Sequence, residues 1–413
     1  METLVIKRST TTSANWLQPP KAARFAVAVT FFMNGALFAT WVSRIPALQA
    51  GRGLSHGALG LALLAIALGA VIAMPLAGWC SSRFGSRRVT QLAAAMLCVS
   101  LPILVLAPKG PLFALALFCF GAVHGALDVA MNTQAVAVEE RYRRPINSSF
   151  HAFFSVGGLV GSAVGGLVAA AGIGPLTHFG LAALILGGAT AVLAFPHLLD
   201  AGEAQDRELL DEDQASPKFA WPNRALLALG AVAFCVMMGE GAMADWSAVF
   251  LRQITGASEG VAAAGYAAFS ITMAIGRFSG DWLSARIGPV SLVRLSGAFA
   301  TAGMGLALAR PSPIAGLIGF ACVGGGFATV VPMAFTAAGR TPGTSSGVAL
   351  ATATTIGYFG FLLGPPIIGF AAELLGLRAA LALILLTSLL ITALAPAVRR
   401  ALTSRNPRKF LPA

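Results

Sequence analysis

Hydrophobic residues along this chain come in twelve runs of about 20, each closed by a short polar or basic break. That is the length a helix needs to cross the hydrocarbon core of a bilayer. Only internally hydrogen-bonded backbone is tolerated there, so every run predicts a helix. The expected spans are residues 24–45, 57–79, 89–107, 111–137, 149–171, 176–196, 225–250, 260–282, 291–309, 312–336, 345–370 and 378–398. The pattern is six spans, a polar gap and six more, an all-α membrane protein with 12 transmembrane helices. It divides into an N-terminal tail (1–23), a first six-helix half (24–196), a linker (197–223), a second half (224–398) and a C-terminal tail (399–413).

Composition agrees with the pattern: 57% of the 413 residues are hydrophobic and 11% charged, too few for a soluble domain. Most of the 47 glycines sit inside the apolar runs, where small residues let helices pack closely, and not in linkers. A net charge of +12 invites a nucleic-acid reading, which the placement of the basic residues rejects. Most Lys and Arg fall on the side holding both tails and the linker; Arg44, Arg52, Lys109, Arg252, Arg310 and Arg378 are the exceptions. This asymmetry places both termini in the cytoplasm and makes the basic excess topological. The polar residues before the first span, and that span's length, argue against a cleavable signal peptide. The linker gathers Asp200, Glu203, Asp206, Glu208, Asp211, Glu212 and Asp213, a solvated charge run. Cys80, Cys98, Cys119, Cys235 and Cys322 are odd in number and scattered, which fits buried thiols and neither a disulfide framework nor a metal cluster.

The two halves resemble each other at an offset of about 203 residues. Trp79-Cys80-Ser81-Ser82-Arg83-Phe84-Gly85 aligns with Trp282-Leu283-Ser284-Ala285-Arg286-Ile287-Gly288. The same offset pairs Gly121 with Gly324, and Gly157, Gly161 and Gly166 with Gly360, Gly364 and Gly369. Met33 through Trp41 resembles Met238 through Trp246. Two parallel, pseudo-symmetric halves rocking about a site near the midplane are the alternating-access architecture.

The loop after span 2, with Gly78, Ser82, Arg83, Gly85, Arg87 and Arg88, resembles the G-x-x-x-D-R-x-G-R-R signature of the major facilitator superfamily (MFS). Its counterpart in the second half runs from Gly276 and Arg277 through Asp281 to Arg286 and Gly288. In span 5, Gly161-Ser162-Ala163-Val164-Gly165-Gly166 is similar to the antiporter motif G-P-x-x-G-G, with Ser162 replacing the proline. Gly125, Asp128, Met131, Asn132, Gln134 and Ala135, followed by Phe150-His151, resemble the inner-membrane YbjJ-like branch, itself distantly similar to the fucose permease group. The resemblance implies the MFS fold, a multi-pass place in the bacterial inner membrane, and a monomer acting on a small-molecule substrate and protons. In the loop motif, Gly78, Arg83, Gly85, Arg87, Arg88, Arg277, Asp281 and Arg286 would gate. Ser82 stands where the motif has Asp, which removes a carboxylate from the first-half gate. The arginines equally suit anchoring to headgroups.

Three acids lie away from span ends: Asp128, Glu240 and Asp245. A carboxylate in hydrocarbon is costly and usually faces a cavity, in translocation or proton relay. His124, Asp128 and Asn132 recur at i, i+4 and i+8 and share one stripe of span 4. Removal from water displaces the titration of such groups, and one poised near physiological pH can take a proton on one side and release it on the other. Proton coupling is therefore expected of Asp128, Glu240 and His124. In the fucose permease group an acid on span 4 binds substrate or proton, and span 1 carries a coupling Asp where this chain has neutral Asn34. Asn34 is accordingly a substrate-binding candidate, with Asn132. Trp41 and Trp246 occupy equivalent places and either stack on a ring-bearing substrate or anchor at the outer interface.

Glu240 and Asp245 lie about 140° apart around span 7, so they are not expected to share a cavity. Asp245 would sit near the mouth, with Arg252 or Arg44 as partner. His151, behind Asn147, Ser148 and Ser149, either reaches the lumen or belongs to a helix start. Tyr266 and Tyr358 are further cavity candidates, since a buried phenol needs a partner. Pro365 and Pro366 can kink span 11.

The leading expectation is a proton-coupled secondary transporter of a small organic solute. The span 5 glycines favour antiport and the permease resemblance symport; a non-transporting membrane sensor is the other class. No Walker loop, nucleotide fingerprint or HExxH occurs, so no enzyme, cofactor, metal or nucleic-acid partner is expected.

Overall fold

Each apolar run folds as the helix its length requires. A computed structural model describes residues 20–142, 146–199, 224–341 and 346–398. The N-terminal tail before residue 20, the acidic linker at 200–223 and the tail from 399 lie outside the described residues. The first half comprises α1 (Lys21–Val42), α2 (Ile45–Arg52), α3 (His56–Phe84), α4 (Ser86–Leu106), α5 (Pro111–Tyr142), α6 (Asn147–Ala170) and α7 (Pro175–Leu193). The second comprises α8 (Arg224–Gln253), α9 (Glu259–Ile287), α10 (Pro289–Ala309), α11 (Pro313–Phe327), α12 (Val330–Gly339), α13 (Ser346–Leu375), α14 (Leu377–Ala380) and α15 (Ala382–Leu394).

Pairing α1 with α2, α11 with α12 and α14 with α15 gives 12 units long and apolar enough to cross a membrane. The expected spans match these units, with α3 and α5 running several residues further than hydropathy implies. Pro365 and Pro366 lie inside α13, which remains one helix across them.

The repeat is visible in local chemistry. Ser55 caps α3 by accepting from the Ala58 amide, and Ser258 caps α9 by accepting from Val261. Gly85 (φ 90°) turns α3 into α4, and Gly288 (φ 79°) turns α9 into α10; both need the positive φ that a Cβ disfavours.

The glycine series show how the halves pack. Gly157 and Gly161 of α6 lie against Phe32 and Ala36 of α1; Gly360 and Gly364 of α13 lie against Phe234 and Met238 of α8. The next glycine in each series crosses between halves. Gly166 meets Gly260 of α9, and Gly369 meets Gly60 of α3. Small residues are required at both seams because backbones meet there directly. In span 5 the glycines of the antiporter-like motif are therefore packing residues. Large apolar side chains such as Leu167, Leu184, Val192 and Leu374 face outward, as a lipid-exposed surface requires.

The helices alternate in direction, so α1 starts, α7 ends and α8 starts at one end, called here the linker end. Gln134, late in α5, ties Leu199 there through two hydrogen bonds.

Candidate functional site

A cavity of about 600 Å³ lies between the halves. Its wall draws on α1, α3, α5 and α6 from the first half, and on α8, α9, the α11–α12 span and α13 from the second. These are equivalent sets under the repeat. The break at Ala328 and Thr329 lies on the wall, where irregular backbone can be tolerated in a membrane protein.

Acids reach the cavity from both halves. Asp128 and His124 come from α5, and Glu240 and Asp245 from α8. Asn132 is not on the wall. Its Nδ2 donates to Asp128 Oδ1 (3.2 Å) and to the Asp128 carbonyl (2.8 Å), so it positions the carboxylate. His124 packs edge-on against Phe38 with ring centroids 5.0 Å apart, and its Nε2 has no hydrogen-bond partner.

The expectation that Glu240 and Asp245 face different surroundings is corrected: both line this cavity. Met237, Gly241 and Ala244 fall on the arc between them at 100° per residue, so the two acids mark the edges of one broad exposed face. Asp245 does not pair with Arg44 or Arg252 either. Arg44 donates to His178 Nδ1 (3.1 Å) and the Ile173 carbonyl (2.8 Å), and lies 3.6 Å from Glu259. Arg252 donates to the Ala257 carbonyl. Asp245 has no hydrogen-bond or ion-pair partner among the described residues.

The motif reading puts Arg277 in a loop, whereas the fold puts it deep in α9, on the cavity wall. Its Nη2 lies 3.7 Å from Glu240 Oε1, and its Nη1 donates to Ser155 Oγ of the other half (2.9 Å). Sequence reading missed this pair, although a lone arginine inside the expected span 260–282 was a usable signal. Ser155, Thr329 and Thr354 also went unnoticed, having no charge to stand out; Thr329 and Thr354 line the wall, as does Asn147, which the sequence reading took only as part of a helix start.

His151, Tyr266 and Tyr358 are wall residues. The His151 ring meets Phe31 edge-on at 5.2 Å. Tyr358 shares the cavity wall with Asp128 and Glu240. Besides Asn132, three candidates are elsewhere. Asn34 is fully buried between α1 and α5, its Nδ2 on Met131 Sδ at 3.6 Å and its Oδ1 unpartnered. Trp41 and Trp246 are also fully buried, beside Phe120 and His56, and so neither stack in the cavity nor face lipid.

The motif arginines sit at the linker end. Arg83 is exposed over the Phe84 ring, Arg88 is exposed, Arg87 donates to the Pro196 carbonyl, and Arg286 lies over Trp282 at 4.4 Å. Gly78 is part-buried in α3 beside Val129. Ser82 donates to the Trp79 carbonyl of its own helix, as expected of a residue that is no carboxylate. The side chain of Asp281 lies outside the described residues.

Wall residues run from mid-span towards the linker end, through Asn147 at the start of α6, Gly280 in α9 and Phe335 in α12. Towards the opposite end the wall stops, and the halves touch. Gln253 Nε2 donates to Gln49 Oε1 (3.0 Å), and Gln253 Oε1 lies 2.7 Å from His56 Nε2. Glu373 Oε2 accepts from the Gly57 amide at the N-terminus of α3 (2.9 Å). With Arg44–Glu259 and the two glycine seams, these contacts close the opposite end.

Comparison with known proteins agrees with this geometry. The sequence profile of the Major Facilitator Superfamily matches residues 25–360. An uncharacterized MFS-type transporter of Yersinia pestis is 40% identical over 388 residues, covering 93% of this chain and 98% of that one. The membrane protein MosC of Rhizobium meliloti is 36% identical over 368 residues, 89% of this chain and 88% of that one. Among solved structures, the nucleoside transporter NupG superposes with a TM-score of 0.68 at 14% identity, over 92% of this chain and 99% of that one. An inward-facing, occupied bacterial homologue of the human lysosomal transporter Spinster gives 0.67 at 16% identity, over 93% and 97% of the two chains. At such identities these structures speak for the fold alone. The chain belongs to the major facilitator superfamily and is a multi-pass bacterial membrane transporter.

Proposed function

We propose that this protein is a proton-coupled secondary transporter that moves a small organic solute across the inner membrane by alternating access. The linker end is cytoplasmic, following the basic residues, and the closed end is periplasmic. The observation that carries the reading is a cavity between two related halves, lined by carboxylates from both and shut at one end by contacts between halves. Breaking those contacts and remaking equivalent ones at the linker end would expose the same acids to the other side.

Asp128 is the residue that answers to the proton. Its one hydrogen-bonding side-chain partner among the described residues is the neutral amide of Asn132. A carboxylate taken from water without a counter-charge costs several kcal/mol, and a proton removes that cost. Glu240 differs, since Arg277 already offsets its charge. Protein reconstituted into liposomes with a pH dye inside and an imposed gradient tests the reading. Solutes that use the carrier should drive proton movement in the wild type and not in Asp128→Asn, which is expected to purify as a folded protein. Flux indifferent to the gradient argues for a uniporter; unchanged pH dependence in Asp128→Asn removes that residue from the mechanism.

A further inference from the structure

We infer that the solute is an organic cation, a monovalent ammonium-type ion carrying apolar or aromatic groups, bound between Asp245 and Asp128 and exchanged against protons. The inference rests on the cavity being the transport site and adds what that site selects.

Charge comes first. Three carboxylates face the cavity, and among the described residues Arg277 is the one guanidinium or ammonium group on its wall. Arg277 is committed to Glu240 and Ser155. Asp128 keeps a neutral amide as its partner, and Asp245 has none among the described residues. An anion would have to displace Glu240 from Arg277 and face the remaining acids. A monovalent cation supplies the counter-charge these acids lack and leaves the Glu240–Arg277 pair in place.

The rest of the wall excludes small inorganic ions and sugars. No group of three or more His, Cys, Asp or Glu able to hold a metal ion occurs among the described residues. Phe31, Phe38, Phe154, Phe269, Phe335 and Phe361 line the wall with aromatic rings, a surface suited to a poorly hydrated cation and an apolar body. A sugar would leave most of its hydroxyls facing such rings unpaired. The volume of about 600 Å³ suits a molecule of drug or metabolite size.

Exchange follows from charge balance. In the empty site Asp128 and Asp245 each hold a proton; a monovalent cation arriving between them replaces one proton, which leaves to water, while the other acid stays neutral. One acid cannot hold both, so each ligand weakens the other by the same factor.

Binding to purified wild-type protein tests this with quaternary probes, because primary amines cross bilayers as free bases and move protons by themselves. Benzyltrimethylammonium is compared with its neutral carbon isostere neopentylbenzene and with benzenesulfonate, alongside tetramethyl- to tetrapropylammonium. The expected result is saturable binding of the benzyl or another quaternary cation, weakened about tenfold or more in Asp245→Asn, with isostere and anion silent. No cation bound at about 10 mM, equal binding of benzenesulfonate, or full affinity in Asp245→Asn would overturn the inference. Proton release on binding, read with a pH dye in weak buffer, separates the two readings. Binding of the cation without release keeps the substrate class and sinks the coupling; proton-coupled flux of an anion does the reverse.

Discussion

The seam between Gly60 and Gly369 should set how far the closed end stays closed. A Cβ on residue 369 would lie 2.9 Å from Gly60 Cα and 2.9 Å from the His56 carbonyl oxygen. On residue 60 it would lie 2.7 Å from the Pro365 carbonyl oxygen, about 0.7 Å short of an ordinary contact at 3.4 Å. These neighbours are backbone, so no side chain can swing away and the helices must part. An extra methyl in a packed contact costs about 1–3 kcal/mol. The cost applies only where α3 and α13 touch, so Gly369→Ala should shift the equilibrium roughly 5- to 150-fold towards the state open at that end. Spin labels on exposed Lys109 and Arg310, one per half at the closed end, report the change as a longer distance in double electron–electron resonance. Gly60→Ala presses on the same seam from the other side and should reproduce it. Gly35→Ala clashes with the Phe154 carbonyl within one half and should lower stability without lengthening the distance. An unchanged distance distribution in stably folded Gly369→Ala and Gly60→Ala proteins would refute the idea that this seam governs opening.

Two further outcomes are expected. Arg277→Gln leaves Glu240 without its counter-charge, a loss bounded by the about 3–5 kcal/mol of a broken buried pair, so the thermal midpoint should fall. Removing the charge as well, in Arg277→Gln/Glu240→Gln, should restore most of it; additive losses in the thermal melts would mean that the 3.7 Å pair carries no coupling. Asn34→Leu removes a buried amide whose Oδ1 has no partner, so the melting midpoint should stay or rise and solute-driven proton flux should persist. Lost flux in a folded Asn34→Leu protein would place Asn34 in the solute path.

What the sequence determined by itself was the scaffold. Run length fixes twelve spans because lipid leaves the backbone no partners outside its own helix. The repeat at an offset of about 203 foretold that Gly166 and Gly369 hold equivalent places, and each proves to touch the other half. Asp128 was legible because an acid in an apolar run has few reasons to be there, and it does line the cavity. Tertiary structure decided the rest, because the site is assembled from a few side chains on each of eight spans. Arg277 looked like part of a loop motif until the depth of α9 put it against Glu240. Glu240 and Asp245 seemed to diverge because angular spacing on one helix ignores the width of the space beside it. Asn34 was a ligand candidate by resemblance, and Trp41 and Trp246 suited either stacking on a solute or anchoring at the interface, yet neighbouring helices cover all three. Spacing along one helix gives a side chain's direction; what it meets depends on the helices packed around it.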